Sequence, residues 1–284
     1  MATVTRSQSK EKKAKPVVRP IEPSPKVKGV KLPTKFEEPT SRFDDFSFLI
    51  HGLPKIGKTS LAMQTADGKN NVLFLQFDAP QRAYRRMEIV CTDYVTALKA
   101  VRKLEAAAES GSFPYQRVVV DNADMFCRTS QMYVCEKLAI DHPGELDYGK
   151  GWDAARQEFR DVVDRLLRLP CGVWFIAHSQ WKDVETRDGG EITRLVPRMS
   201  AQGEDLINGK VDCTVAYDYD DKNRRVLVLR GGTRVVCGHR LHQSDNPHFI
   251  GKDGKPLRSV LAGRNPQQAF RNLLAAFNNE YGAV

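Results

Sequence analysis

The six cysteines of this 284-residue chain never fall into a Cys-x-x-Cys pair, and no histidine cluster accompanies them. That absence argues against a zinc site and leaves buried, reduced thiols as the plain expectation. Long apolar runs are missing too: nothing approaches the roughly 20 residues needed to span a bilayer. The opening Met1-Ala-Thr-Val-Thr-Arg6 lacks the apolar core of a secretory signal. A cytoplasmic location is expected. A strong charge excess on the folded part is also lacking. The net charge is +9, but residues 1–40 hold ten Lys/Arg against four Asp/Glu, whereas the remainder holds 34 against 31. The basic character belongs mainly to the N-terminal segment and says little about a domain surface.

What is present is one stretch of high information. Phe46 to Ile50 is an apolar run that reads as a buried strand, and it breaks at Gly52 into Leu53-Pro54-Lys55-Ile56 before Gly57-Lys58-Thr59-Ser60 opens a helix. The spacing fills G-x-x-x-x-G-K-[ST] at every fixed position, in the strand–loop–helix context that the P-loop motif requires. Glycines let consecutive backbone N–H groups turn inward around a polyphosphate, and the helix N-terminus adds positive potential. Gly52, Pro54, Lys55, Ile56, Gly57 and Ser60 are expected to cradle the phosphates. Lys58 reaches the β- and γ-phosphates and the Thr59 hydroxyl ligates magnesium. ATP and Mg²⁺ are the cofactors implied.

Along the chain, residues 1–41 are rich in Lys, Pro, Ser and Glu without apolar periodicity and read as a disordered basic tail. Residues 42–243 read as one α/β domain, and 244–284 as a C-terminal extension with an amphipathic helix. Apolar runs at Asn71–Asp78, Arg117–Asp121 and Gly172–His178 predict buried strands. Thr92 is expected to cap a helix through Ala108, a second helix runs from Met125 to about Ala139, and a third from Trp152 is stopped by Pro170. Residues 141–151, with three glycines, read as a loop. Asp188-Gly-Gly190 signals a hairpin, Val211–Tyr217 and Arg225–Arg230 read as paired strands, and Asn265-Pro266 starts a last helix. Strands alternating with helices predict a mostly parallel sheet covered on both faces, with a C-terminal hairpin region and a terminal helix.

Asp121 stands at a strand's C-terminal edge, where α/β folds bind ligands, and is expected to be the second magnesium contact. Position 122 is Asn rather than the Glu that many ATPases use as base. Asp78, ending the intervening strand, is the best alternative, with Asp124 next. His178, followed by Ser179 and Gln180, ends a further strand where a side chain can sense the γ-phosphate.

Taken together, GLPKIGKT, VLFLQFDAP, RVVVDNADMF, DYGKGW and VWFIAHSQW resemble the RecA-like P-loop ATPases over residues 44–240. More narrowly, the chain is similar to AAA-type nucleotide-binding proteins common in phage genomes, some of them single-strand annealing proteins. The resemblance implies that Asp78 stands for the catalytic glutamate and His178 for the γ-phosphate-sensing glutamine. It also implies single-stranded DNA contacts in two loops, through Lys150, Lys182, Arg187, Arg194 and Arg198, with Tyr148 or Trp181 stacking on bases. A homo-oligomer follows, with nucleotide at subunit interfaces and a trans-acting arginine among Arg230, Arg234 and Arg240. Recombination or annealing is the leading expectation. A nucleotide-gated scaffold with little turnover is the alternative. A small-molecule kinase is least favoured, because Arg82, Arg85 and Arg86 follow a different strand and lack a lid.

Overall fold

In this computed structural model, residues 34–69, 71–79 and 82–282 are described. Most of the expected N-terminal tail, residues 1–33, therefore lies outside the described residues. Residues 1–38 and 39–284 cluster as separate units. In chain order the second unit carries β1 (Phe48–Gly52), α1 (Lys58–Ala62), β2 (Val72–Gln76), β3 (Met87–Val90), α2 (Tyr94–Glu109), β4 (Arg117–Asp121), α3 (Ala123–Leu138) and α4 (Lys150–Leu167). There follow β5 (Gly172–Glu185), β6 (Glu191–Pro197), α5 (Ala201–Lys210), β7 (Cys213–Tyr219), β8 (Arg225–Val228), β9 (Gly238–His239), β10 (Ser259–Leu261) and α6 (Pro266–Phe277).

The sheet order is β10-β8-β7-β1-β5-β4-β2-β3, with β6 beside β5 and β9 beside β7. The six strands from β7 to β3 are all parallel, while β6, β8, β9 and β10 pair antiparallel. Alternation splits the apolar runs between two cores. Leu49, Val118, Val120, Val173 and Phe175 face one cluster with α2, α3, α4 and α5. Phe48, Ile50, Val119, Trp174 and Ile176 face the other, with α1 and α6. This explains why these strands read as unbroken apolar runs: both faces are covered. The terminal helix is part of that second core, through Phe270, Leu273 and Phe277.

Several expectations are corrected. Asp93, not Thr92, caps α2, accepting from the Thr96 N–H at 2.6 Å. The edge strand β3 lies in residues to which the sequence assigned no element, because only four residues pair and three of them are exposed. Residues 141–151 are not an open loop. Pro143–Glu145 and Asp147–Gly149 are 3₁₀ turns, the first closed by a His142/Glu145 capping box, and Lys150 and Gly151 already belong to α4. The strand expected to end at His178 continues to Glu185, since its outer half pairs with β6 across the expected Gly189-Gly190 turn. Helix α5 follows a Ser200 cap that the weak apolar periodicity of residues 201–210 did not signal.

One buried cation ties the layers. Arg117, at the start of β4, is fully buried and donates to Asp44, to Ala62 O at 3.2 Å and to Gln64 O at the end of α1. Its guanidinium carbon lies 3.8 Å from the Trp174 ring centroid. Burial pulls its pKa down to about 10, with Asp44 opposing, so it stays protonated at neutral pH. Removing one partner of such a pair strands the other as an uncompensated buried charge. Asp44→Ala should lower unfolding free energy by about 3–5 kcal/mol, and Arg117→Met combined with Asp44→Leu should recover much of it. Urea denaturation of the wild type and the two variants measures this.

Candidate functional site

The register sets three strand ends side by side. Gly52 pairs with His178, Asp121 with Ile176, and Gln76 with Asp121. The loop after β1 therefore opens beside His178 midway along β5 and beside the ends of β4 and β2. A Cβ at Gly52 would lie 2.4 Å from the Tyr217 carbonyl oxygen, so only glycine lets the chain leave β1 against β7. Gly57 turns into α1 at φ 116°, a region that L side chains rarely adopt. Ile56 is buried in the core beneath the loop and anchors it, whereas Pro54, Lys55, Gly57, Lys58, Thr59 and Ser60 line a cavity of about 460 Å³.

Lys58 folds back under that loop. Its Nζ donates to Gly52 O at 2.8 Å and Leu53 O at 2.9 Å, and the residue is only 6% exposed. Burial pulls its pKa down to about 8, against the opposing charges of Asp121 and Asp124. The ammonium's burial therefore weighs against the fold at neutral pH, and that cost fades as pH rises from about 8 toward the ordinary 10.5.

In the same cavity, the Thr59 hydroxyl donates to Asp121 Oδ2 at 2.8 Å. Burial pushes the Asp121 carboxyl upward, while the Thr59 bond and the charges of Arg86 and Lys58 pull it down. The set suits a hard divalent cation. Thr59 gives its proton to a buried carboxylate, which leaves the hydroxyl lone pairs free beside an under-compensated anion. Thr59 and Asp121 would hold Mg²⁺. The Asp121–Asn122 peptide is cis.

Asn122 explains itself by its two ends. Its Oδ1 caps α3, accepting from the Met125 N–H at 2.9 Å, while its Nδ2 donates to Asp78 Oδ2 at 2.5 Å. A glutamate could supply the first bond but not the second. Asp78 and His178 both line the cavity. His178 Nδ1 lies 3.3 Å from Asp124 Oδ2, so the two alternative acids end up on different partners.

Asp78 and His178 also line a second cavity of about 590 Å³, between the first turns of α3 and the base of the β5–β6 hairpin. Arg128, Gln180 and Arg198 lie on its wall. The hairpin register sorts mixed charge onto two faces. Lys182 pairs with Arg194 on one, beside Gln180 and Val196; Asp183–Thr193 and Glu185–Glu191 occupy the other, with the exposed Trp181. Arg187 sits in the turn, and Lys150 begins α4 after the exposed Tyr148. Arg230 and Arg234 are exposed near the end of β8. Arg240 follows β9, which pairs with Cys213 and Thr214 at the far end of the parallel strands from the P-loop.

Two residues escaped the sequence reading. His51, fully buried, must carry its proton on Nε2, because that atom lies 2.6 Å from the Val236 carbonyl oxygen; Nδ1 then accepts from the Ser179 hydroxyl at 2.8 Å. Burial pulls its pKa down to about 4. Nothing in a lone histidine inside an apolar strand signals this. Arg86 was grouped with Arg82 and Arg85 in a basic turn, yet its side chain is buried 3.9 Å from Asp121.

The arrangement is a P-loop α/β fold, a mostly parallel sheet covered by helices on both faces with the glycine-bounded loop joining β1 to α1. Among curated proteins, the SPbeta prophage-derived uncharacterized protein YorG of Bacillus subtilis (strain 168) is 26% identical over 132 residues. That match covers 46% of this chain and 40% of the relative, so the chain spans less than half of that protein's length. Among solved structures, the KaiC-like protein PH0186 from Pyrococcus horikoshii OT3 aligns with a TM-score of 0.39 at 12% identity, over 67% of this chain and 80% of that one. The family model described as AAA domain, AAA_24, matches residues 44–241, more than half of the chain, and the protein belongs to that family.

Proposed function

We propose that the chain binds ATP with Mg²⁺ above Lys58, hydrolyses it, and uses the nucleotide state to govern contact with single-stranded DNA in recombination or annealing. One observation carries the nucleotide part: Lys58 and the Thr59–Asp121 pair line a single cavity beneath a glycine-bounded loop. Lys58 exchanges two loop carbonyls for phosphate oxygens, and the backbone N–H groups opening α1 add further donors. Bound Mg²⁺ would neutralise charge on the phosphates. Asp78, anchored by Asn122 through one oxygen, has no other hydrogen-bond partner among the described residues and keeps Oδ1 free to orient a water.

The basic hairpin face, with Lys182 and Arg194 paired and Arg198 and Arg128 without ion-pair partners among the described residues, supports the polyanion part. It favours Lys182, Arg194 and Arg198 over Lys150 and Arg187 as contacts. Assembly into a homo-oligomer with an arginine supplied in trans by Arg230, Arg234 or Arg240 belongs to the same proposal. A second reading, a nucleotide-gated scaffold for a protein partner with little turnover, is favoured by the Asn122–Asp78 bond, which occupies one oxygen of the leading candidate base.

Because phosphate binding needs the Lys58 ammonium, affinity for a fluorescent ATP analogue should be level below pH 8 and fall up to about tenfold per pH unit above it. Lys58→Arg should remove that fall, and Lys58→Ala should abolish binding at every pH. For the DNA part, wild-type ATPase activity should rise with single-stranded DNA, and Lys182→Ala with Arg198→Ala should lower the salt dependence of DNA binding by about one unit of slope each. Tight ATP binding without any DNA binding at low salt would reject the DNA reading and leave the scaffold.

A further inference from the structure

Arg86 enters the site from the segment before the edge strand β3. Its side chain is 2% exposed, and its guanidinium carbon lies 4.6 Å from the Phe74 ring centroid. Two hydrogen bonds and an ion-pair contact fix the planar fork: Nε donates to Glu88 Oε2 at 2.8 Å and Nη2 to Gln76 Oε1 at 2.7 Å, while Nη2 also lies 2.6 Å from Glu88 Oε2. The remaining nitrogen, Nη1, is buried without a hydrogen-bond partner among the described residues and lies 3.9 Å from Asp121 Oδ2. Gln76 Nε2 is likewise buried without a partner among the described residues, on the rung that pairs Gln76 with Asp121. A guanidinium serving only to pack β3 against β2 would be satisfied by Glu88 and Gln76. Here the tethers leave one charged donor directed to the carboxylate that also accepts from Thr59.

We propose that Arg86 is a positioning residue for Asp121, a fixed buried cation that holds Oδ2 toward Thr59 so that the pair is ready for a divalent cation. The inference rests on the nucleotide reading above. Arginine suits the task because its fork is planar, stacks on an aromatic ring and keeps its charge when buried, whereas a lysine in the same place has a flexible point charge and no rigid fork to reach Glu88, Gln76 and Asp121 at once. Groups that orient a metal-binding carboxylate act through affinity for the metal and leave the phosphate cradle itself intact.

The test is a Mg²⁺ titration of fluorescent ATP-analogue binding, with a parallel measurement in EDTA, on wild type, Arg86→Ala, Arg86→Lys and Glu88→Gln. Arg86→Ala should raise the half-saturating Mg²⁺ concentration by about tenfold while leaving metal-free nucleotide affinity near the wild-type value. Arg86→Lys should recover part of the shift. Glu88→Gln, which loosens the tether and keeps the guanidinium, should fall between wild type and Arg86→Ala, and it keeps the test open should Arg86→Ala fail to fold. An unchanged Mg²⁺ midpoint in the folded variants, with only a lower melting temperature, would overturn the proposal and leave Arg86 a packing residue. Equal losses with and without Mg²⁺ would also overturn it. Failure of the wild type to bind nucleotide would instead overturn the nucleotide reading on which it stands.

Discussion

The buried guanidinium of Arg117 is the constraint on which the rest of the structure hangs. It sits at the start of β4, four residues before Asp121 at the strand's other end, and it bonds the Ala62 carbonyl that closes α1 and the Gln64 carbonyl just beyond, while the other end of α1 carries Lys58 and Thr59. One side chain thus fixes the distance between the two halves of the phosphate site from below. Asp44 compensates the charge and Trp174 covers it. A buried ion pair of this kind contributes little net stability, because desolvation offsets attraction, but it penalises any arrangement that separates its partners. The same cation therefore sets the register of helix against strand more than it stabilises either.

Above that base, the site is built from groups that satisfy one another while the phosphate cavity is open. Lys58 rests on two loop carbonyls, Thr59 on Asp121, Asp78 on Asn122, and His178 faces Asp124. None of these partners lies deep in the apolar core, so exchange for ligand atoms requires side-chain motion and no repacking of the sheet. The two cavities share Asp78 and His178 as their common wall. Gln180 and Arg198 line the second cavity with them, so in the function proposed above this shared wall would be the short route from the phosphate side to the base of the hairpin.

Much of this was legible in the chain. The P-loop, the strand-terminal Asp121, the hairpin turn at Gly189-Gly190 and the Asn265-Pro266 helix start are all local signals, written by contiguous residues whose backbone preferences are short-ranged. The elements that were not legible share a different cause. Strand β3 is short and exposed at the sheet edge, and α5 has only a weak apolar stripe, so neither carries a periodic pattern. The outer half of β5 is polar and largely exposed among the described residues, and its strand character comes from pairing with β6.

By itself, then, the sequence determined that a glycine-bounded loop joins a buried strand to a helix, with a lysine, a threonine and a distant strand-end aspartate available for phosphate and metal. Local sterics and hydrophobic alternation suffice for that. Only the tertiary structure decided which partners those groups meet: Asn122 with Asp78, 44 residues apart, Thr59 with Asp121, 62 apart, and Arg117 with Asp44, 73 apart. Hydrogen bonds between residues so distant leave no periodicity along the chain, because they are specified by sheet register and burial rather than by neighbours. That is why Arg86, one basic residue among three in a turn on the page, became in the fold the cation behind Asp121.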